Sequence, residues 1–188
     1  MTHDHLSVKQ EIQSRAELRR ALLQTRLAIA PETRALWNAS LVQNLLRYLD
    51  TQTIQCLGIY SPIQGEPDIS AALGTILEKG ISLALPVVLG KNLPLAFYDW
   101  NFQTTMENDR FGIHIPATRE QAVQADAFLI PCVGFNQAHF RLGYGGGFYD
   151  RTLAAAPDTV AIGIAYQLSQ CHFAIEKHDQ AMRHIITE

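Results

Sequence analysis

The chain has 188 residues, of which 47% are hydrophobic and 18% are charged, and its formal net charge is −3. This balance is typical of one folded domain with a substantial core, so we predict a single domain over residues 1–188, frayed over residues 1–13. The net charge disfavours a broad nucleic-acid surface. The chain has no run of about 18 consecutive apolar residues, so we predict no membrane span. Because the N-terminus lacks a hydrophobic signal region, we expect a cytoplasmic protein. We also expect a monomer with no nucleic-acid or membrane partner.

Cysteine and histidine spacing gives no metal-binding pattern. The three cysteines, Cys56, Cys132 and Cys171, are far apart and form no CxxC pair, so we predict reduced core thiols. Five histidines share no metal-ligand spacing either and are expected in surface or packing roles: His114, His139, His172, His178 and His184.

Two helices are predicted near the start of the chain. Ser14-Arg15-Ala16-Glu17 has the form of a capping box and predicts a helix that continues to about Ile29. Pro31 suits the first position of a second helix, which we predict to about Leu49. Four arginines lie on the faces of the first helix that its leucines do not occupy: Arg15, Arg19, Arg20 and Arg26. They form either a solvated face or a source of cations for a phosphate, and the pattern leaves both open.

Alternating strands and helices follow. Residues 53–60 and 82–85 are predicted strands, joined by a helix that Asp68 is placed to cap and that ends near Gly80. Further strands are predicted at 95–100 (antiparallel or at an edge), 127–130, 160–165 and 184–187, with an extended loop at 111–116 and a short helix at 117–125. Apolar strands joined by helices predict an α/β fold, a single-domain three-layer sandwich with a mostly parallel, Rossmann-like central sheet and helices on both faces.

The strongest candidate for a binding site is the stretch Arg141-Leu142-Gly143-Tyr144-Gly145-Gly146-Gly147-Phe148-Tyr149-Asp150-Arg151. It lies between a predicted apolar strand and a short predicted helix. Glycines in such a turn let backbone N–H groups approach an anion beside the helix N-terminus. Arg141 and Arg151 flank the turn and would neutralise phosphate, while Asp150 offers an oxygen ligand to magnesium. The alternative is a flexible or tightly turning surface loop.

Three loops are expected to share one site. In open α/β sheets, ligands lie beyond the carboxyl ends of the strands. The loops predicted at these ends span residues 61–66, 135–148 and 166–167.

The glycine-rich stretch resembles the signature of the 5-formyltetrahydrofolate cyclo-ligase family. Residues 131–135 (Pro-Cys-Val-Gly-Phe) are similar to the lead-in of that signature, and Tyr60-Ser61-Pro62 with Glu66 is similar to the family's substrate loop. Asp179 and the closing residues 186–188 resemble its C-terminal pattern. The likeness runs from about residue 15 to the end of the chain.

This resemblance implies MgATP-dependent conversion of 5-formyltetrahydrofolate to 5,10-methenyltetrahydrofolate, with release of ADP and phosphate. ATP would phosphorylate the formyl oxygen, N10 would attack the activated carbon, and phosphate would depart as the ring closes. No protein nucleophile is required, so catalysis would depend on positioning and charge stabilisation.

The resemblance also implies the site residues and the cofactors ATP and Mg²⁺. The catalytic residues are Arg141, Tyr149 and Asp150. The ATP-binding residues are Arg15, Arg19, Arg141, Leu142, Gly143, Tyr144, Gly145, Gly146, Gly147, Phe148 and Tyr149. The folate-binding residues are Ser61, Glu66, Tyr144, Gly145, Gly146, Gly147 and Phe148, with Glu66 accepting from the pterin N–H groups. The magnesium positions are Asp150 and Asp179.

One position departs from the family pattern. The family usually shows Lys-x-x-x-Arg near the N-terminus, whereas this chain has Arg15-Ala16-Glu17-Leu18-Arg19. Arginine keeps the charge but lacks the point-like geometry of lysine. This departure leaves open a folate- or nucleotide-binding protein without turnover. A different small-molecule kinase or ligase on the same scaffold is a separate alternative. Three aromatic residues either line the folate pocket or pack in the core and edge strand: Tyr98, Trp100 and Phe102.

Overall fold

The computed structural model describes residues 14–110 and 112–188. Helix α1 spans Arg15–Leu27, and its predicted capping box is confirmed, because Ser14 and Glu17 each bond the other's backbone N–H. Helix α2 spans Pro31–Leu49 with the proline at its start, as predicted. The expectation for residues 1–13 lies outside the described residues.

The remaining elements are strands, two further α-helices, α3 (Ser70–Glu78) and α4 (Phe148–Ala155), and a short 3-10 helix (Gln167–Ser169). The strands within residues 14–110 and 112–188 are β1 (Cys56–Gly58), β2 (Ser82–Val88), β3 (Leu95–Trp100), β4 (Met106–Asn108), β5 (His114–Pro116), β6 (Ala127–Pro131), β7 (Gly134–Phe135), β8 (Arg141–Leu142), β9 (Val160–Ile164) and β10 (His184–Ile186). Six of them form one sheet in the order β10-β9-β6-β1-β2-β3. All neighbours are parallel except β3, which runs antiparallel to β2 at the edge, so the mostly parallel α/β prediction is confirmed.

Side chains alternate between the two faces of this sheet. Ala127 and Leu129 of β6 pack with α2 and α3, whereas Phe128 and Ile130 pack with α4 on the other face. The second face is tight at Gly58, where a Cβ atom would lie 2.5 Å from the Phe128 ring. Helices on both faces give the predicted three layers.

The sequence prediction was wrong in two segments between β3 and β6. Residues 117–125 form no helix, because the backbone N–H of Val123 donates to the carbonyl of Phe97 on β3 instead (2.8 Å). The end of the predicted 111–116 loop is strand β5, which pairs antiparallel with β4.

Smaller corrections concern the first strand, the start of α3 and the thiols. Strand β1 is shorter than predicted, because Asp126 accepts from the N–H groups of Gln55 and Cys56 (2.8 Å each). Asp68 accepts from Ser70 N, one residue outside the α3 N-cap position. All three cysteines are free, as expected, although only Cys132 is buried.

In the described part of the chain no helix is both long and apolar enough to cross a membrane.

Candidate active site

A cavity of about 1090 Å³ opens at the carboxyl end of the parallel strands. The loop after β1, the glycine turn before α4 and the start of α1 all contribute to its walls. Its lining includes most of the predicted site residues: Arg15, Arg19, Ser61, Glu66, Arg141, Gly143, Tyr144, Gly145, Gly146, Gly147, Phe148, Tyr149, Asp150 and Asp179. Two loops therefore meet in one site, as expected for the strand ends.

The third expected loop does not line this cavity. Tyr166 is fully buried, packs against Trp37 and donates its hydroxyl to Asn38 (2.6 Å). The prediction that residues 166–167 share the site was therefore wrong. Leu142 is also fully buried, on β8. Trp100 packs edge-on against the exposed Phe102 ring, and neither residue lines the cavity.

The glycine turn has left-handed backbone at two positions. Gly145 has φ of 92° and Gly147, the N-cap of α4, has φ of 65°. Residues other than glycine rarely adopt these backbone angles. Arg19 reaches this turn from α1 and donates its Nε–H to the carbonyl of Gly143 (2.6 Å). Arg151 donates to the carbonyls of Gly146 and Lys91, so it braces the turn from outside.

Arg141 and Asp150 form a partly buried ion pair beneath the turn. The β7–β8 hairpin presents Arg141, and the first turn of α4 presents Asp150, so that Nη2 and Oδ1 are 2.7 Å apart. Only 4% of the Arg141 side chain is exposed, against 26% for Asp150. The guanidinium lies over the ring of Tyr149, and burial, followed by the charge of Glu66, raises the pKa of that phenol. Tyr149 therefore keeps its proton at neutral pH.

A second ion pair closes the other side of the cavity. Arg15 donates to both carboxylate oxygens of Asp179 (2.8 and 3.2 Å) and lies 3.4 Å from Glu176. Burial opposes ionisation of Asp179, but the bonds from Arg15 and from Glu176 N, together with the charges of Arg15 and Arg141, outweigh it and lower the carboxyl pKa. Burial and the like charge of Arg15 lower the pKa of Arg19. Two guanidinium groups on one wall favour an anionic ligand.

Glu66 is the buried acid of the cavity, with 4% of its surface exposed. Its Oε2 accepts from the backbone N–H of Ile63 (2.9 Å), and its Oε1 accepts from the Tyr144 hydroxyl (2.8 Å). Burial raises the carboxyl pKa, while these two bonds and the charge of Arg26 partly oppose the rise. Each oxygen keeps an acceptor position, so the carboxylate can receive two further N–H groups.

Ser61 also lines the cavity, and its hydroxyl donates to the carbonyl of His114 (3.1 Å). This bond ties the loop after β1 to strand β5. A ligand would therefore meet the backbone of Ser61 more readily than its hydroxyl.

Sequence reasoning named Arg26 among the four arginines of α1 but did not assign it to the site. It is the one buried residue of α1, with 1% exposure, and it contacts the loop after β1 and the glycine turn. A signal was present, since Arg15, Arg19 and Arg26 recur at spacings of four and seven residues, which is one helix face. Arg20 lies off that face and is exposed, as a solvated arginine should be.

The two predicted magnesium positions differ in their fit to the ion. Both oxygens of Asp179 are occupied by Arg15, and Oδ2 also accepts from Glu176 N. Asp150 uses Oδ1 for Arg141, and a quarter of its side chain faces solvent. Among the described residues, no group of three or more His, Cys, Asp or Glu residues is arranged to hold a metal. Magnesium bound by one carboxylate, waters and ligand phosphates needs no such group, so Asp150 fits better than Asp179.

Comparison with known proteins agrees with the resemblance seen in the sequence. Residues 11–188 match the 5-formyltetrahydrofolate cyclo-ligase family. A 5-formyltetrahydrofolate cyclo-ligase of Mycolicibacterium smegmatis is 33% identical over 185 residues, which cover 93% of each chain. A solved 5,10-methenyltetrahydrofolate synthetase of Mycoplasma pneumoniae superposes with a TM-score of 0.78 at 25% identity, covering 93% of this chain and 99% of the other. One from Aquifex aeolicus gives 0.79 at 26% identity, covering 92% and 88%.

Proposed function

The chain belongs to the 5-formyltetrahydrofolate cyclo-ligase family and is a ligase, and from this premise we propose that it uses MgATP to convert 5-formyltetrahydrofolate to 5,10-methenyltetrahydrofolate. One observation carries the proposal. A single cavity has a buried carboxylate, Glu66, in one wall, and has four arginines and a glycine turn in others. The carboxylate suits the N–H groups of a pterin, and the arginines suit the phosphates of ATP.

The proposed reaction has two steps. The formyl oxygen attacks the γ-phosphorus of ATP, and the bond to ADP breaks as the new P–O bond forms. N10 of the folate then attacks the formyl carbon and loses its proton to the solvent or to the departing phosphate, and the C–O bond breaks to release phosphate and leave the methenyl bridge. The first step converts a poor leaving group into phosphate, so the protein needs no nucleophile of its own.

The residues of the cavity have distinct proposed roles in these steps. Arg15, Arg19 and the N–H groups of the glycine turn bind the phosphates, and Arg141 stabilises the charge of the transferring phosphoryl group. Tyr149 keeps its proton, because burial raises its pKa, and can donate to a phosphate oxygen. Fixed donors cost no reorganisation during the reaction.

Magnesium, when bound, neutralises charge on the ATP phosphates. We propose Asp150 as its main protein ligand, since its carboxylate lines the cavity beside Arg141. Asp179 would serve only if Arg15 exchanged it for a phosphate. That exchange keeps the guanidinium paired, because a carboxylate and a phosphate are both anions that a guanidinium binds through two N–H groups.

Residues 1–188 are proposed to act as one domain. The support is that α1, near one end, and Asp179, close to the other, line the same cavity. The sheet also joins β1 to β10 without interruption.

The direct test follows the near-ultraviolet absorbance of 5-formyltetrahydrofolate mixed with the protein and MgATP. The conjugated methenyl product gives a new band, which we expect only when ATP and magnesium are both present. ADP release should match product formation. Folate binding without a new band and without ADP release would favour the non-catalytic binding alternative.

Asp150→Asn is expected to raise the magnesium concentration for half-maximal activity by at least about tenfold, because the metal loses an anionic oxygen ligand. The asparagine carbonyl can still accept from Arg141, so we expect only a small fall in melting temperature. The measurement is a magnesium titration of product formation at saturating ATP. Asp158→Asn, at an exposed position shortly after α4, is the matched control. An unchanged magnesium requirement in Asp150→Asn would remove the metal role.

A further inference from the structure

Arg26 joins three separate segments, two of which line the cavity at Gln64 and Tyr144. Its Nε donates to the carbonyl of Gln64 (3.1 Å), its Nη1 to the carbonyl of Cys132 (3.3 Å) and its Nη2 to the hydroxyl of Tyr144 (2.5 Å). The first bond holds a strained position, since Gln64 has φ of 46°. A guanidinium offers its donors in a fixed plane, so it fixes these three acceptors relative to one another.

The third bond continues to the buried acid of the cavity. The Tyr144 hydroxyl accepts from Arg26 and donates its own proton to Oε1 of Glu66 (2.8 Å). The guanidinium and the carboxylate are therefore separated by a single phenol oxygen. Hydrogen bonds in such a chain polarise one another, and the positive charge favours the ionised carboxylate.

We propose that Arg26 is a positioning residue for the reaction, which orients the carboxylate of Glu66 toward the pterin through the hydroxyl of Tyr144. The inference rests on the proposed function, in which Glu66 receives the N–H groups of the folate. Arg26 has no direct part in that contact, because it is buried behind Tyr144. It also connects the folate side of the cavity with the glycine turn, since Tyr144 belongs to that turn.

Other groups near Glu66 do not supply the same charge. The hydroxyls of Tyr60 and Tyr149 and the thiol of Cys132 face it from the sheet and α4, and burial raises the pKa of each, that of Cys132 to about 12. All three are therefore neutral at neutral pH. Arg34 on α2 reaches Gly65 in the same loop, but its Nη2 donates to the carbonyls of Arg26 and Ile29. Arg26 is thus the cation linked to Glu66 through a hydrogen-bond chain.

The test measures the affinity for 5-formyltetrahydrofolate by calorimetry over a pH series. Arg26→Gln is expected to weaken binding about tenfold at pH 7, because one charge-assisted bond chain is lost. As the pH decreases, the folate affinity of Arg26→Gln should also begin to fall at a pH about one unit above that at which the wild-type affinity begins to fall. The reason is that Glu66 loses the nearby positive charge that favours its ionised form. Arg26→Lys keeps the charge and should keep the wild-type pH dependence. Arg20→Gln, on the exposed side of the same helix, should match the wild type in both respects.

The outcomes separate this inference from the proposed function. A wild-type protein that binds no folate would contradict the proposed function itself. If the wild type binds folate and Arg26→Gln has the same affinity and pH dependence, the positioning role is overturned, even if the melting temperature of Arg26→Gln is lower. If Arg26→Gln does not fold, Tyr144→Phe replaces it, since this variant leaves both backbone bonds of Arg26 intact and removes the phenol oxygen that connects Arg26 with Glu66. Tyr144→Phe should show the same shift in pH, and an unshifted profile would also overturn the inference.

Discussion

Arg141→Gln is expected to lower kcat for methenyl formation by about 100-fold to 1000-fold, with a much smaller effect on the KM for folate. Arg141 is the buried cation of the cavity wall beneath the glycine turn, and its Nη2 is fixed at 2.7 Å from Asp150. A preorganised charge of this kind stabilises the phosphoryl group most in the transition state, where removal of one donor typically costs two to three orders of magnitude. Steady-state kinetics at saturating ATP and magnesium measure the effect.

Two further variants separate charge from geometry. Arg141→Lys keeps the positive charge but cannot offer the planar pair of donors, so we expect kcat between those of the wild type and Arg141→Gln. Arg183→Gln, at an exposed position beside β10, is the matched control and should leave kcat unchanged. A kcat for Arg141→Gln above about one tenth of the wild-type value would contradict a transition-state role.

Fold features that depend on local chemistry were predicted well. The capping box at Ser14 and the proline at the start of α2 act within one helical turn, so the sequence pattern contains all the interacting groups. The apolar runs at residues 127–130 and 160–165 also gave buried parallel strands, because strands covered on both faces need apolar side chains throughout.

Features that depend on distant partners were predicted less well. The first strand is shorter than its apolar pattern, since the carboxylate of Asp126, 70 residues away from Cys56, takes backbone N–H groups at its start. Residues 117–125 have a weak pattern, and their backbone pairs with β3 instead of forming a helix. Intrinsic propensity does not decide such segments, because tertiary hydrogen bonds outweigh it.

The same distinction applies to the site. The glycine turn could be predicted, because a strand, a turn and a helix in sequence determine its setting. The role of Arg26 could not, since its acceptors on Cys132 and Tyr144 lie 106 and 118 residues along the chain. The pairing of Arg15 with Asp179 spans 164 residues and was equally out of reach. Charged side chains reveal their partners only when the fold brings distant segments together.

Glu66→Gln is expected to raise the KM for 5-formyltetrahydrofolate by about tenfold to 100-fold and to change the KM for ATP by less than about twofold. The buried carboxylate accepts from Ile63 N and Tyr144 and keeps one acceptor position on each oxygen for the substrate. A glutamine amide replaces one acceptor with a donor, so one N–H group of the pterin would face another N–H group. Loss of a buried charge-assisted bond costs about 1.5–3 kcal/mol, which corresponds to this range of KM. An equal rise in both KM values would argue against a pterin contact.

The pH dependence of the same variant gives an independent check. Burial raises the pKa of Glu66, so its carboxylate takes up a proton at a higher pH than an exposed glutamate as the pH falls. The charged acceptor is present above that pKa and lost below it, so the wild-type KM for folate should rise on the acid side. In Glu66→Gln nothing at this position titrates, and the acid-side rise should disappear while the KM stays high throughout. Glu78→Gln, at the exposed end of α3, should retain the wild-type profile. If the acid-side rise persisted in Glu66→Gln, a different group would control folate binding.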